Sequence, residues 1–521
     1  MTLVHNTARL IACSKKLRHR APDWSGCFIG KEGVLHERLA IVGVDTGAQP
    51  VASEEGKLIL AVNGEIYNFL ALRAQVPEYR FKTQSDCEVI LPLDIYNLLD
   101  GMFSSKCPGA VFFASEVKAL VDACDKTISI PPGHVYDSHD QSTSRYFQPT
   151  WWDGDSGAPD ATIPSTLANL TLIWETLGAA VRKRLISEVP YGVLLSGALD
   201  NSLIAAIAAR ETDKVAQAQY ELHKRRLEES TSGPPTTRGG GSEINEEATL
   251  AAWPVLRSFC IGLENSPDLL AAREAAGYLG TVHHEYVFTV HEGLEAIPDD
   301  VTYHLETYEV TTAPASTPVY LLRKIKVTGI KMVLSGEGSD EILGGYLYFN
   351  AAPDRTSFLK ECVKRVKNLH PLDSSLRANK STMPWGLEAR VPFLDKAFLE
   401  VAMNIDSHEK MFAISEDQDV DQDGHPKMEK TSYILRKAFD CSPNGKIDGV
   451  KDAAASLVSD NAFVKREQRW PLDTPDTNEA YYIRELFEGL FPSDTAAKTA
   501  VRWIPRGDWG CATDPSGRAV D

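Results

Sequence analysis

The clearest alternation of apolar and polar positions lies between residues 256 and 290. Leu256 to Leu263 is a largely apolar run of strand length, followed by Ser266 as an N-cap and Pro267 at the first helical position. Leu269, Ala272, Ala276 and Leu279 then recur at helical spacing, and Gly280 supplies the stop. His284 to Val290 reads as the next strand. Strand, helix, strand units of this kind recur after about residue 165 and predict a parallel sheet with helices on both faces. Residues 30 to 150 differ, with short alternating segments broken by turn residues. Lys57 to Val62, Asn63-Gly64 and Glu65 to Asn68 together predict a tight hairpin, because Asn and Gly both tolerate positive φ. The first half is therefore expected to be rich in β structure.

Between these patterned regions, Lys214 to Thr249 is charged at first and then rich in Gly, Pro, Ser and Thr, which predicts a solvated insertion. Its basic run Lys224-Arg225-Arg226 reads as an exposed helical face. Glu416 to His425 is acidic and expected on the surface, and Asp419, Asp421 and Asp423 lack the glutamate that would complete an EF-hand loop. The most apolar stretch, Tyr191 to Ala209, contains Asp200 and Asn201, so no transmembrane segment is expected.

A length of 521 residues exceeds one ordinary core and predicts two domains. With 43% apolar and 24% charged residues the chain is globular in composition. Its formal charge of −18 disfavours nucleic acid and anionic membrane as partners and points to small molecules. No h-region accompanies the basic residues Lys15 to Arg20, so the cytoplasm is the expected location. The nine cysteines show no zinc spacing or disulfide framework and are expected mostly as small buried residues. His283 and His284 fall on opposite faces of a strand, which argues against shared metal ligation, and Trp151 and Trp152 are expected in an interdomain core.

Candidate chemistry lies where strands end. Val193 to Ser202 places a buried strand before the small-residue loop Ser196-Gly197-Ala198, which opens a helix. N–H groups at such a helix start can cradle a phosphate. No Walker A motif exists in the chain. Ile330 to Leu334 leads into a second loop, Ser335-Gly336-Glu337-Gly338-Ser339-Asp340-Glu341, which carries three carboxylates. Carboxylates beside phosphates need a cation between them, so Asp200 and Asp340 are candidate Mg2+ ligands. Each loop alone could be an ordinary turn; two of them at strand ends of one parallel sheet favour a ligand crevice.

These segments carry a resemblance. Ser196 to Ser202 is similar to the pyrophosphate loop S-G-G-x-D-S of asparagine synthetases and other ATP pyrophosphatases. Ser335 to Tyr346, Glu388 to Asp395, Ser266 to Asp268 and Thr281 to Glu285 also resemble that family. The resemblance implies that ATP and aspartate give β-aspartyl-AMP and pyrophosphate, and that ammonia then displaces AMP. Leu195 and Ile261 would flank adenine; Ser196, Gly197, Asp200, Ser335 and Gly336 would hold the nucleotide, and Glu337 would assist ammonia. Three departures stand out. Ala198 and Asn201 replace a glycine and a serine of the loop and are expected to crowd the phosphate. Pro314 replaces an arginine, and Asp440 to Lys446 stands where the family has a longer segment with a lysine that stabilises phosphate charge.

In the first half, His19 to Cys27, Arg38 to Val42, Asn63 to Asn68 and Ser85 to Glu88 resemble the glutaminase domain of the same family, an N-terminal nucleophile hydrolase. By that resemblance Arg38, Asn63, Gly64, Glu65 and Asp86 would bind glutamine. The cysteine that the family needs at residue one is not matched by Met1-Thr2-Leu3; Cys13 falls in an expected helix, and Thr2 at the wrong distance from His19 and Arg20. About thirty residues of strand are also lacking after Ser104, which is expected to expose sheet edges. The implied fold is α/β: an incomplete α+β sandwich of the N-terminal nucleophile type over residues 1–150, then a doubly wound parallel-sheet ATP pyrophosphatase domain over 165–500 with the insertion near 214–249, and a tail at 501–521. The leading expectation is an ATP-dependent, ammonia-using amidation of aspartate, without glutaminase activity. Two alternatives stay open: an altered-substrate adenylating enzyme of the β-lactam synthetase type, and a noncatalytic homologue that binds nucleotide or partners, including a homodimer.

Overall fold

The computed structural model describes residues 3–29, 33–92, 102–104, 111–124, 127–152, 163–230, 255–309, 312–369 and 376–411, with shorter stretches beyond, chiefly 478–491. The expected features at Thr2, Thr231 to Thr249, Pro314's side chain, Glu416 to His425 and Asp440 to Lys446 lie outside the described residues.

Helix α1 (Leu3–Lys15) opens the first half and includes Cys13. It is fixed by Ser14 donating to Glu37 (2.8 Å) and Arg9 donating to the Ala123 carbonyl (2.6 Å). Strands β1 (Trp24–Ile29) and β2 (Gly33–Arg38) pair antiparallel with Trp24 opposite Arg38. The short strands β3 (Val51–Ala52) and β4 (Ile59–Leu60) form another antiparallel pair. β5 (Met102–Ser104), β6 (Phe112–Ala114) and β7 (Ile128–Ser129) make a three-stranded sheet, and β8 (His134–Asp137) pairs with β9 (Ser142–Arg145). The expected β-richness thus appears as small antiparallel sheets. Trp24 and Phe28 on β1 are exposed, although α1 packs against β2.

The hairpin at Asn63-Gly64 does not form. Glu65 to Asn68 is no strand; helix α2 (Phe69–Arg73) follows it at once. The Ile66 N–H, which a ladder would have used, donates to the Asp86 carboxylate at 2.6 Å. A charge-assisted bond to a buried carboxylate outweighs one neutral ladder bond.

In the second half, helix α3 (Leu170–Arg184) precedes β10 (Tyr191–Leu194), which leads through Leu195 to Ala198 into helix α4 (Leu199–Ser230). α4 runs 32 residues, so the charged start of the insertion is helical and not irregular. Its Ala, Glu, Gln, Lys and Arg content gives the chain no reason to stop before Ser230. Next come β11 (Arg257–Gly262), helix α5 (Pro267–Leu279) and β12 (Val282–Val287). α5 has the expected ends: Ser266 accepts from the Leu269 N–H, Gly280 takes φ 67°, and Leu269, Ala272 and Ala276 are buried. β12 stops earlier than Val290 because Thr289 and Glu292 form a capping box that starts another helix.

β13 (Met332–Leu334) and β14 (Glu388–Arg390) complete a five-stranded sheet of order β12-β11-β10-β13-β14, parallel at every pair. The order reverses at β10, so the crevice between the ends of β10 and β13 is the topological switch point. One core joins the halves: Ile41, Val42, Phe69 and Val89 pack with Trp151, Trp152, Ile173, Val193 and Leu334. Polar contacts reinforce it, since Glu188 accepts from the Gly43 and Val44 N–H groups and Lys331 pairs with Asp23 at 2.8 Å. No helix among the described residues is long and apolar enough to cross a membrane.

Candidate functional site

The two strand-end loops meet at the switch point. Gly197 takes φ +75°, and a Cβ there would lie 2.5 Å from the Ala271 methyl, so the first loop must be glycine to turn tightly against α5. Ser335 begins the second loop, its N–H held by the Arg390 carbonyl at 2.9 Å. A Cβ on Gly336 would stand 2.7 Å from the Asn201 nitrogen and the Asp200 carbonyl carbon, so the loops lie back to back with no room for a side chain.

Side chains tie them further. Ser339 donates to Asp200 at 2.9 Å. The Asn201 amide spans both loops, donating from Nδ2 to Ser196 Oγ and accepting at Oδ1 from the Gly336 N–H, both at 2.8 Å. Ser335 Oγ accepts from the Glu337 N–H at 3.4 Å. Glu337, Asp200 and Asp340 are half-buried. Six of the expected residues, Ser196, Gly197, Asp200, Ser335, Gly336 and Glu337, therefore share one crevice, and Asp340 follows directly on Ser339. Leu195 is 1% exposed within the core, which leaves its main chain alone to meet a ligand, while Ile261 is half-buried on β11. Ala198 is exposed, so its methyl group points away from tight packing.

Among the described residues no group of three or more His, Cys, Asp or Glu side chains is arranged to hold a metal. His283 bonds to Ser258 (2.9 Å) and His284 stacks on Phe259, on opposite strand faces as expected. Asp200 lies at the loop junction, whereas the Asp340 carboxylate, in the first turn of the helix after the second loop, packs against Gly345. One or two carboxylates with phosphate oxygens suit Mg2+, which keeps several waters and seldom takes an all-protein cage. The Asp200 carboxylate at the loop junction is a donor of the type such an ion takes, while the Ser196 Oγ and the Gly336 N–H are spent on the Asn201 amide.

The second cluster is a pocket lined by Arg38, Asn63, Gly64, Glu65 and Asp86, all five residues expected there, with Arg20, His36, Cys87 and Ser115. Met383 and Glu388 also line it, although both belong to the second half. Arg38 spends three N–H bonds on the Val42, Gly43 and Val44 carbonyls, at 2.8 to 3.2 Å, shaping the wall with a buried cation. Burial and the charge of Glu388 push the Glu65 carboxyl well up, against the pull of Arg390. Burial, with Asp86 and Glu65 nearby, likewise pushes the Cys87 thiol well up, and its Sγ donates to the Gly64 carbonyl at 3.5 Å.

Sequence reasoning missed Arg390. It is 2% exposed, donates from Nε to Glu388 (2.6 Å) and from Nη1 to the Arg184 and Ile186 carbonyls, and lies 3.5 Å from Glu65. The stretch Glu388 to Asp395 stood out in the sequence, but nothing local told that it reaches a pocket of the other half. Glu306 was missed too. It accepts from the Val117 and Lys118 N–H groups and from Lys380 (2.6 Å), while Glu116 pairs with Arg20 and Lys118 in the same buried cluster.

The class these features define is a doubly wound α/β protein with a phosphate-type crevice at its switch point, fused to a β-bearing half that shares a polar pocket with it. Residues 2–105 match the glutamine amidotransferase domain family, and residues 172–362 and 351–504 match the asparagine synthase family. A probable glutamine-hydrolysing asparagine synthetase of Schizosaccharomyces pombe is 50% identical over 97% of this chain and 94% of its own. Asparagine synthetase 1 of Saccharomyces cerevisiae is 48% identical over 98% and 95%, and that of Zea mays 41% over 98% and 90%. The chain belongs to the asparagine synthetase family. The alignment to the Schizosaccharomyces relative spans 567 positions against 521 residues, so that relative carries stretches this chain lacks.

Proposed function

We propose that the chain is an ATP-dependent ligase of the cytoplasm that amidates aspartate through an acyl-AMP intermediate and takes its nitrogen as ammonia. The observation that carries this reading is the junction of the Ser196 and Ser335 loops at the switch point, with Gly336 packed against Asp200 and Asn201. The loop N–H groups and Ser196 would bind the phosphates, and Leu195 and Ile261 would border the base. Mg2+, held by Asp200 and Asp340, would neutralise phosphate charge. Glu337, half-buried on the same loop, would accept a proton from the attacking ammonia.

The pocket of Arg38, Asn63, Gly64, Glu65 and Asp86 suits an amino acid, with a cation for its carboxylate and the carboxyl groups of Asp86 and Glu65 for its ammonium, Glu65 giving up its proton as that charge arrives. Glutamine is the proposed occupant. Ammonia as the nitrogen source is supported by the thiol found there: Cys87 is the one cysteine among the described residues lining the pocket, 2% exposed and held protonated, and hence a poor nucleophile.

The test is pyrophosphate and AMP release by the purified chain with Mg-ATP and ammonium, with and without aspartate. Aspartate-dependent release with asparagine formation is expected, and glutamine in place of ammonium should give none. Release that ignores aspartate would overturn the substrate assignment.

A further inference from the structure

The Asn201 side chain occupies an unusual place for a residue in the first turn of a helix that follows a phosphate loop. Both ends of its amide are used, one on each loop. Nδ2 donates to Ser196 Oγ and Oδ1 accepts from the Gly336 N–H, each at 2.8 Å. Those two groups are the ones an incoming polyphosphate needs, a hydroxyl after β10 and an N–H after β13, at the point where the sheet order reverses. The amide therefore does to the crevice what a phosphate would do: it supplies an acceptor to Gly336 and bridges the loops. Its neighbour Asp200 is tied by Ser339 across the same junction, so the loops are closed from two adjacent residues.

We propose that Asn201 is a latch on the phosphate cradle, holding the Ser196 and Ser335 loops together without nucleotide, so that ATP must displace its amide in order to bind. This rests on the reading of the crevice as an ATP site. Two neutral hydrogen bonds are broken and replaced by charge-assisted ones to phosphate, so binding stays favourable but weaker than in an open cradle. The chain consequently works only at higher ATP than it would with a short hydroxyl side chain here. The latch acts on ground-state binding and leaves the chemical step alone, which predicts a change in KM without a matching change in kcat.

The experiment uses the full chain and three forms, native, Asn201→Ser and Asn201→Asp, each first checked for a native circular dichroism spectrum. Direct binding of Mg-ATP and of inorganic pyrophosphate is measured by calorimetry, and ATP kinetics by pyrophosphate release. Asn201→Ser should tighten both ligands and lower KM for ATP by about five- to tenfold, the worth of about one net hydrogen bond, with kcat within twofold. Asn201→Asp keeps an acceptor for Gly336 but adds a negative charge, and should weaken both ligands at least as much. A purely supporting role predicts the reverse for serine: KM unchanged or raised and kcat lowered. That result overturns the latch while the ATP reading stands. Failure of every form, native included, to bind Mg-ATP or pyrophosphate overturns the ATP reading and the latch with it.

Discussion

Replacing Arg390 by Met tests how much one buried guanidinium, bonded within the second half and 3.5 Å from Glu65 of the first, contributes to stability. The substitution keeps much of the volume and removes the charge. Lost with it are the 2.6 Å bond to Glu388, the bonds of 2.7 and 2.6 Å to the Arg184 and Ile186 carbonyls, and the 3.5 Å approach to Glu65. Three charge-assisted bonds are each worth about 1.5 to 3 kcal/mol, but burying the ion in the native protein has already cost several kcal/mol. The net loss expected when one partner of such a buried group is removed is about 3 to 5 kcal/mol, because Glu388 is left without its cation. Urea unfolding followed by tryptophan fluorescence is a suitable assay, since Trp151 and Trp152 sit in the shared core. Adding Glu388→Gln to Arg390→Met should restore more than 1 kcal/mol, as that carboxylate no longer lacks a partner. A single Arg390→Met change below about 1 kcal/mol, or a second substitution that restores nothing, would refute the reasoning.

Other outcomes follow from the same geometry. Gly336→Ala should cost about 1 to 3 kcal/mol and at least tenfold in pyrophosphate release, since its methyl group would meet backbone of Asp200 and Asn201 at 2.7 Å; thermal unfolding and kinetics check the two parts. Glu306→Gln leaves Lys380 buried without its carboxylate, while Lys118 keeps Glu116 at 2.6 Å, and should lower stability by about 3 to 5 kcal/mol in urea unfolding. Burial works to raise the Glu211 carboxyl, yet Arg182 and Lys214 hold it at about 2. Its depressed value means that its contribution is full above the ordinary value of 4.5 and is lost as pH falls from there through 2. Both cations are more than half exposed, so only about 1 kcal/mol is at stake. Glu211→Gln should therefore be less stable than the native chain at pH 7, with the gap closing by pH 2.

What was legible in the sequence was local. The Ser266 cap, the Gly280 stop and the buried stripe of α5 depend on residues within a few positions of one another, and all three stand in the structure. The loops after β10 and β13 were legible for the same reason, since small residues and carboxylates cluster where apolar strands end. Contacts distant in sequence were not legible. Asn63-Gly64 signals a hairpin only if the next residues are free to pair, and Asp86 had already claimed the Ile66 N–H. Asn201 read as a bulky intruder in a phosphate loop. The structure shows its amide spent on Ser196 and Gly336, a role that needs the second loop in view. Glu306 has φ +57° and no motif around it that announces a hub for two buried lysines.

The pocket and the crevice are joined by a single three-residue strand. On β14, Glu388 lines the pocket, and two residues later the Arg390 carbonyl fixes the Ser335 N–H, where the phosphate-type loop begins. A strand rises about 3.3 Å per residue, so the step between these two contacts is roughly 7 Å of backbone held on one side by β13. The Arg390 side chain turns back from that same point toward Glu65. A displacement of Glu65 or Glu388 therefore acts on the residue that positions the second loop, with no flexible linker between them to absorb it. The first half is in this sense a wall of the second half's machinery. Cutting it away would remove Ile41, Val42, Phe69 and Val89 from the shared core, uncover the second-half residues of that core, and strip Arg390 of one of its two acids. An account that treats the halves as separable modules, one dispensable once nitrogen arrives as free ammonia, conflicts with that arrangement.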